Sequence, residues 1–132
     1  MDTKQKALIV PINSRRQIFI QDRRGYKKPD WGFFGGTIEK EETPIKTVIR
    51  EAKEELQIDV YDNELIDMGV FETVWDGQKI MRYMFLYPTE QTEFSVLEGK
   101  GGVWFTLEEA REHLDIGERF DAILEKIEGV LP

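Results

Sequence analysis

The stretch from Gly36 to Ile58, GTIEKEETPIKTVIREAKEELQI, limits what this chain can fold into more than any other. At about 100° of turn per residue, Glu51, Glu54 and Glu55 stand at i, i+3 and i+4 and share one arc of a helix. Like charges this close destabilise a helix. Ile45, Val48, Ile49, Ala52 and Leu56 fall on a neighbouring arc and form the apolar stripe by which a helix docks on a core. Thr43 is a good N-cap, and Pro44 suits the first helical position, where a missing N–H costs nothing. Gly35-Gly36 ahead of it is a permissive turn that lets backbone approach a ligand or the helix flank. The combination suits a hard divalent cation, since Mg²⁺ is usually held by a few carboxylates plus waters and substrate phosphates. The competing reading is a solvated acidic face, which ordinary amphipathic helices show.

Length allows one domain over residues 1–132 with a real core. A net charge of −8 argues against general nucleic-acid binding, which needs clustered Lys and Arg to neutralise phosphates. The absence of cysteine excludes disulfides, thiolate metal sites and Cys nucleophiles. The apolar run Ala7–Val10 is short and meets Pro11, unlike a signal peptide, and no segment approaches a membrane span. A cytoplasmic protein without membrane partners is the expectation.

Residues 6–13 and 16–21 read as a β-hairpin about Ser14-Arg15, with Pro11 pushing the first strand towards a sheet edge or a bulge. The loop 22–30, DRRGYKKPD, gathers Arg23, Arg24, Lys27 and Lys28 in an otherwise acidic chain. These four are candidates to neutralise substrate phosphates by charge-assisted hydrogen bonds, against the alternative of a solvated loop. Trp31, Phe33 and Phe34 suit either base stacking or the core, and Phe34 is a candidate substrate contact.

Residues 64–75 and 79–87 are strands joined by Asp76-Gly77, a strong hairpin signal. The second carries apolar residues on both faces, as a central strand does. Arg82 interrupts one face and is either ligand-facing or an ordinary paired arginine. The loop after it holds Glu90, Glu93 and Glu98, and Val103-Trp104-Phe105 forms a short strand. Thr106 to Glu109 is a capping box that opens a helix through Leu114. His113, the single histidine, lies at the helix end that favours a cation. A last helix over 117–130 carries Phe120, Ile123, Leu124 and Ile127 on one stripe. Strands, a helix, strands and two helices predict an α/β fold, a mixed sheet covered on both faces.

Gly36, five residues, Glu42, seven residues, then Arg50-Glu51-Ala52-Lys53-Glu54-Glu55-Leu56-Gln57-Ile58 resembles the signature of the Nudix hydrolases, G-x5-E-x7-R-E-U-x-E-E-x-G-U with U apolar. The one departure is Gln57 in place of the last glycine. Trp31-Gly32-Phe33-Phe34-Gly35-Gly36 is similar to the family's W-x-F-P-G-G, with Phe34 where proline is usual. The resemblance implies an α/β/α sandwich and Mg²⁺-dependent hydrolysis, with Mn²⁺ a second candidate. The substrate would be a small nucleoside diphosphate-linked molecule.

By the same resemblance Glu51, Glu54 and Glu55 are the principal metal ligands, the Gly35 carbonyl an additional one, and Arg50 orients a glutamate. Glu42 is a supporting carboxylate. The loop Glu98-Gly99-Lys100-Gly101-Gly102-Val103-Trp104 looks like the glutamate loop of the MutT-type triphosphatases. That makes Glu98 the candidate fourth ligand or general base, with Glu93 in reserve. A nucleoside triphosphate pyrophosphohydrolase, acting on ordinary, oxidised or non-standard nucleotides, is the favoured activity. A nucleotide-sugar or other diphosphate hydrolase and a non-catalytic nucleotide-binding module are the alternatives, and a homodimer is compatible with all three.

Overall fold

Strand β1 (Lys4–Ile12) is the axis of the sheet, and the computed structural model describes residues 3–96, 100–114 and 121–131 around it. Among these residues β1 runs parallel to β6 (Gln78–Pro88) on one edge, and β6 in turn pairs antiparallel with β5 (Ile66–Trp75). On its other edge β1 meets two partners in succession. Its first half pairs with β4 (Phe34–Thr37) from Lys6 to Ile9, whereas β2 (Gln17–Asp22) meets it only at Ile12, opposite Ile18. The far end of β2 carries β3 (Trp31–Gly32), and its outer edge carries β7 (Gly102–Thr106). The sheet therefore forks. The chain crosses the fork at Phe33, leaving Gly32 on the β2 arm and Phe34 on the β1 arm.

Side-chain alternation splits the core into two layers. Ala7, Ile9, Phe19, Phe34 and Phe85 face helix α1 (Pro44–Leu56), which contributes Val48, Ala52 and Leu56. Leu8, Val10, Ile18, Ile20 and Met84 face helices α2 (Leu107–Leu114) and α3 (Asp121–Val130). This is the α/β/α sandwich with a mixed sheet that the element order predicts. Burial of a side chain such as Val48 or Leu56 contributes roughly 1.5–3 kcal/mol, so α1 is held by packing more than by its own propensity. The 106–109 capping box is present, with Thr106 N–H donating to Glu109 Oε1 at 2.8 Å and Glu109 N–H to Thr106 Oγ1 at 3.2 Å. Asp76 and Gly77 turn the β5–β6 hairpin with φ of 50° and 76°. Residues 117–120 of the last predicted helix lie outside the described residues.

Three expectations change. Pro11 lies in a central strand. Gln5 carbonyl accepts from Ile38 on the β4 side and Ile12 carbonyl from Thr89 on the β6 side. By alternation the missing N–H of Pro11 points to the β4/β2 side, between the β4 pairing that ends at Ile9 and the β2 bridge at Ile12. Residues 62–64 form a short 3-10 turn, so β5 begins at Ile66. On α1, Ile49 is only half-buried, and Thr47 takes the buried place beside Val48. Its hydroxyl donates within reach of Glu42 Oε1 (2.9 Å) and the Thr43 carbonyl (3.2 Å), which removes the cost of burying it.

The ends of α1 follow its sequence. Thr43 Oγ1 accepts from Lys46 N–H, and Pro44 opens the helix. Gln57 closes it in the left-handed region at φ 55°, ψ 41°, with its N–H on the Ala52 carbonyl. A residue with a Cβ pays about 1–2 kcal/mol for that conformation, and glycine does not. Gln57→Gly is therefore expected to stabilise the fold by about 0.5–1 kcal/mol after the entropy of the unfolded glycine is subtracted. A denaturation midpoint that moves up with an unchanged m-value is the expected reading, and a lower midpoint refutes it.

Candidate active site

The α1 flank that carries the glutamates faces the β1–β4 ladder. Gly35 lies opposite Leu8 with φ +138°, and a Cβ there would come within 2.8 Å of Leu8 Cα, so only glycine lets the strand pass. Its N–H donates to Glu55 Oε2 at 2.7 Å and ties the turn to the helix. At Gly36 a Cβ would lie 2.5 Å from Glu51 Oε1, so the missing side chain leaves the space that this carboxylate occupies. The two glycines and two glutamates form one corner.

Arg50 organises that corner. Its Nε donates to Glu42 Oε2 at 2.7 Å and one terminal nitrogen to Glu42 Oε1 at 3.0 Å, a bidentate grip. That nitrogen also reaches the Thr37 carbonyl at 3.3 Å. The other terminal nitrogen reaches Glu51 Oε1 at 3.0 Å and Glu54 Oε2 at 3.3 Å. One cation thus relieves the repulsion among three carboxylates. Glu42 also accepts from Glu39 N–H and Thr47 Oγ1. The Arg50 bonds, followed by that Glu39 N–H, pull the Glu42 carboxyl down to about 2. The same pairing raises Arg50 above its ordinary value.

The donor set is one a hard divalent cation takes, namely carboxylate oxygens on a single rigid helix with room made by glycine. Glu54 is the most open, its side chain 56% exposed against 14% for Glu51. Among the described residues no three acidic or histidine side chains already converge as a cation cage, because Glu55 is turned to Gly35 while Arg50 draws Glu51 and Glu54. Glu98 lies outside the described residues. Glu93 is exposed, and its carbonyl accepts from Gln91 Nε2. His113 is placed against Phe105 (4.7 Å between ring centroids), away from this corner.

A polar pocket of about 50 Å³ opens beside Glu55, in the fork of the sheet. Lys6 and Leu8 of β1 and Arg82 of β6 line one arm, and Gln21, Arg23, Lys27 and Gly32 line the other. Gly32 makes room for Arg23, since a Cβ there would lie 2.5 Å from a guanidinium nitrogen. Arg82 is nearly buried, and its Nε donates to the buried Thr73 hydroxyl at 2.9 Å. Burial, then Arg82, lowers the Lys6 pKa, with Lys4, Arg23 and Lys27 adding to it.

Of the predicted substrate contacts, the fold brings Arg23, Lys27 and Arg82 together and sends three elsewhere. Arg24 grips Asp22 through two bonds of 3.0 and 2.8 Å and lies over the Trp31 ring. Lys28 pairs with Asp30 at 2.7 Å. Phe34 has no exposed surface and stacks on Phe19, so it is a core residue and no base reaches it. Lys6 is the pocket residue that sequence reading misses. A lone lysine before an apolar strand reads as a solvated end, and only the register Lys6↔Arg82 across β1 and β6 gives it a role.

A NUDIX domain profile matches residues 2–126. The chain belongs to the NUDIX family. Its members hydrolyse phosphoric anhydrides, so this protein is a Nudix hydrolase. Solved structures with the same fold include the dihydroneopterin triphosphate pyrophosphohydrolase of E. coli, 20% identical, with a TM-score of 0.77 over 98% of this chain and 97% of that one. A MutT protein of Methanosarcina mazei Go1 is 17% identical, with a TM-score of 0.79 over 98% and 96%. An Ap4A hydrolase of C. elegans is also 17% identical, with a TM-score of 0.71 over 94% and 96%. At these identities the likeness is one of fold. No curated protein sequence matches the chain. Among the described residues no helix of this Nudix protein is long and apolar enough to cross a membrane.

The Arg50–Glu42 pair carries a pH signature. A carboxyl whose folded value is about 2 against an ordinary 4.5 contributes stability that is fully present above the ordinary value and disappears as pH falls through the folded one. Glu42→Gln is therefore expected to melt lower than wild type near neutrality, with the gap narrowing between roughly pH 5 and 2. Thermal melts across that range check it, and a gap independent of pH refutes it.

Proposed function

We propose that this protein is a Mg²⁺-dependent nucleoside triphosphate pyrophosphohydrolase. The observation that carries the reading is the corner where Arg50 holds Glu42, Glu51 and Glu54 while Glu55 is bonded to the Gly35 turn. Glu51, Glu54 and Glu55 would hold the cation, and Arg50 would keep Glu51 and Glu54 oriented towards it. The bound cation would supply positive charge against the diphosphate and make water a better nucleophile at neutral pH. Water adds to one phosphorus, the bridging P–O bond breaks, and a monophosphate and pyrophosphate leave with protons released to solvent. Glu98 is the candidate to take the proton from that water. The triphosphate choice is supported by the cationic pocket beside Glu55 and by the E. coli neighbour, a triphosphate pyrophosphohydrolase. With a small nucleotide as substrate, the expected place of action is the cytoplasm.

Glu54 tests the metal assignment because its open side chain has little part in the fold. Glu54→Gln is expected to lower turnover by at least ~100-fold in Mg²⁺ while the metal-free melting temperature stays within about 2 °C of wild type. The rise in melting temperature that Mg²⁺ produces should shrink in parallel. Near-wild-type turnover would sink the assignment. Glu98→Gln is expected to lower kcat more than it raises KM, and an unchanged kcat moves the base elsewhere.

A further inference from the structure

The pocket in the sheet fork has a composition that the acidic corner does not require. Lys6, Arg23, Lys27 and Arg82 converge on a space of about 50 Å³, with Glu55 as the one carboxylate among the described residues of its wall. The chain as a whole carries a net charge of −8, so four cations around one small space are a local reversal of its field. They come from three separate places in the sequence, two strands and one loop. Crowding them costs stability, because burial and mutual repulsion both disfavour the charged forms. The lowered pKa of Lys6 reports that cost. An anion among them would relieve it.

Size narrows the anion. Pockets that take up drug-sized ligands hold roughly 300–1,000 Å³, and this one is far smaller, so it admits one compact group and no nucleoside. Several N–H donors around a tetrahedral anion match the geometry of charge-assisted bonds to phosphate oxygens. The pocket also shares Glu55 with the corner. A phosphoryl group seated in it lies against Glu55, on the same helix as Glu51 and Glu54.

We propose that this pocket is the subsite for the terminal phosphoryl group of the substrate, and that Lys6 is its specificity-determining residue. The proposal rests on the hydrolase reading above and sharpens it. The substrate is a nucleoside polyphosphate with a free phosphate end, and a nucleotide whose outer phosphate is capped by a sugar fits poorly. Arg82, fixed by Thr73, and Arg23, lying against Gly32, form the rigid wall. Lys6 and Lys27 complete the shell from half-buried and exposed positions, where exchange leaves the core intact.

The test has a binding arm and a kinetic arm. In EDTA, inorganic pyrophosphate at matched ionic strength is expected to raise the melting temperature of the wild-type chain by at least ~2 °C. Lys6→Gln and Lys27→Gln, each folded by its own melt, should lose most of that rise. No rise in wild type, or an equal rise in both variants, overturns the pocket. In Mg²⁺, Lys6→Gln is expected to lose kcat/KM on dGTP at least ~10-fold more than on ADP-ribose. Equal losses on the two overturn the terminal-phosphate assignment. The two readings fail separately. A wild-type chain that hydrolyses neither compound yet keeps the pyrophosphate shift defeats the hydrolase reading and upholds the anion pocket, whereas hydrolysis without the shift defeats the pocket alone.

Discussion

The guanidinium of Arg50 is the interaction on which the site depends. A helix that carries Glu51, Glu54 and Glu55 on one arc, with Glu42 brought against it, concentrates negative charge that would fray it in isolation. Arg50 divides its donors among Glu42, Glu51 and Glu54 and reaches the Thr37 carbonyl as well. A lysine, a point charge without a planar fork, could not hold these partners together in fixed directions. Packing by Val48, Ala52 and Leu56 then fixes the helix to the sheet, so the polar network and the apolar stripe support each other.

The second constraint is the fork in the sheet. β1 gives its first half to β4 and its last residue to β2, and the two arms separate between them. Pro11 lies where the two arms part. Their separation also opens a polar pocket beside the apolar core, where the buried Arg82 sits in lower dielectric than at the surface. Glu55 connects the two features, bonded to the Gly35 turn on one side and lining the pocket on the other.

Helix α1 and the β5–β6 hairpin were legible in the sequence because their signals are local. Caps, a helical apolar period and an Asp-Gly turn act over a few residues, and tertiary packing had no reason to override them. Where a choice depended on which partner a side chain takes, residue type alone did not settle it. Phe34 beside two glycines looks like a stacking platform, but its partner Phe19 lies on another strand and makes it core. Arg24 and Lys28 read like Arg23 and Lys27, yet Asp22 and Asp30 within the same loop claim the first pair.

The sequence by itself determined the family, the acidic helix and its ends, and the order of strands and helices, since each is written in residue spacing along one stretch of chain. Gln57 closes the helix in the left-handed region as the spacing requires, whatever its own preference. Tertiary structure alone decided which cations meet. Lys6 and Arg82 are 76 residues apart and become neighbours only through the parallel register of β1 and β6, while Arg23 and Lys27 arrive from the opposite arm of the fork. Charge acts through distance in space, and a sequence records only distance along the chain.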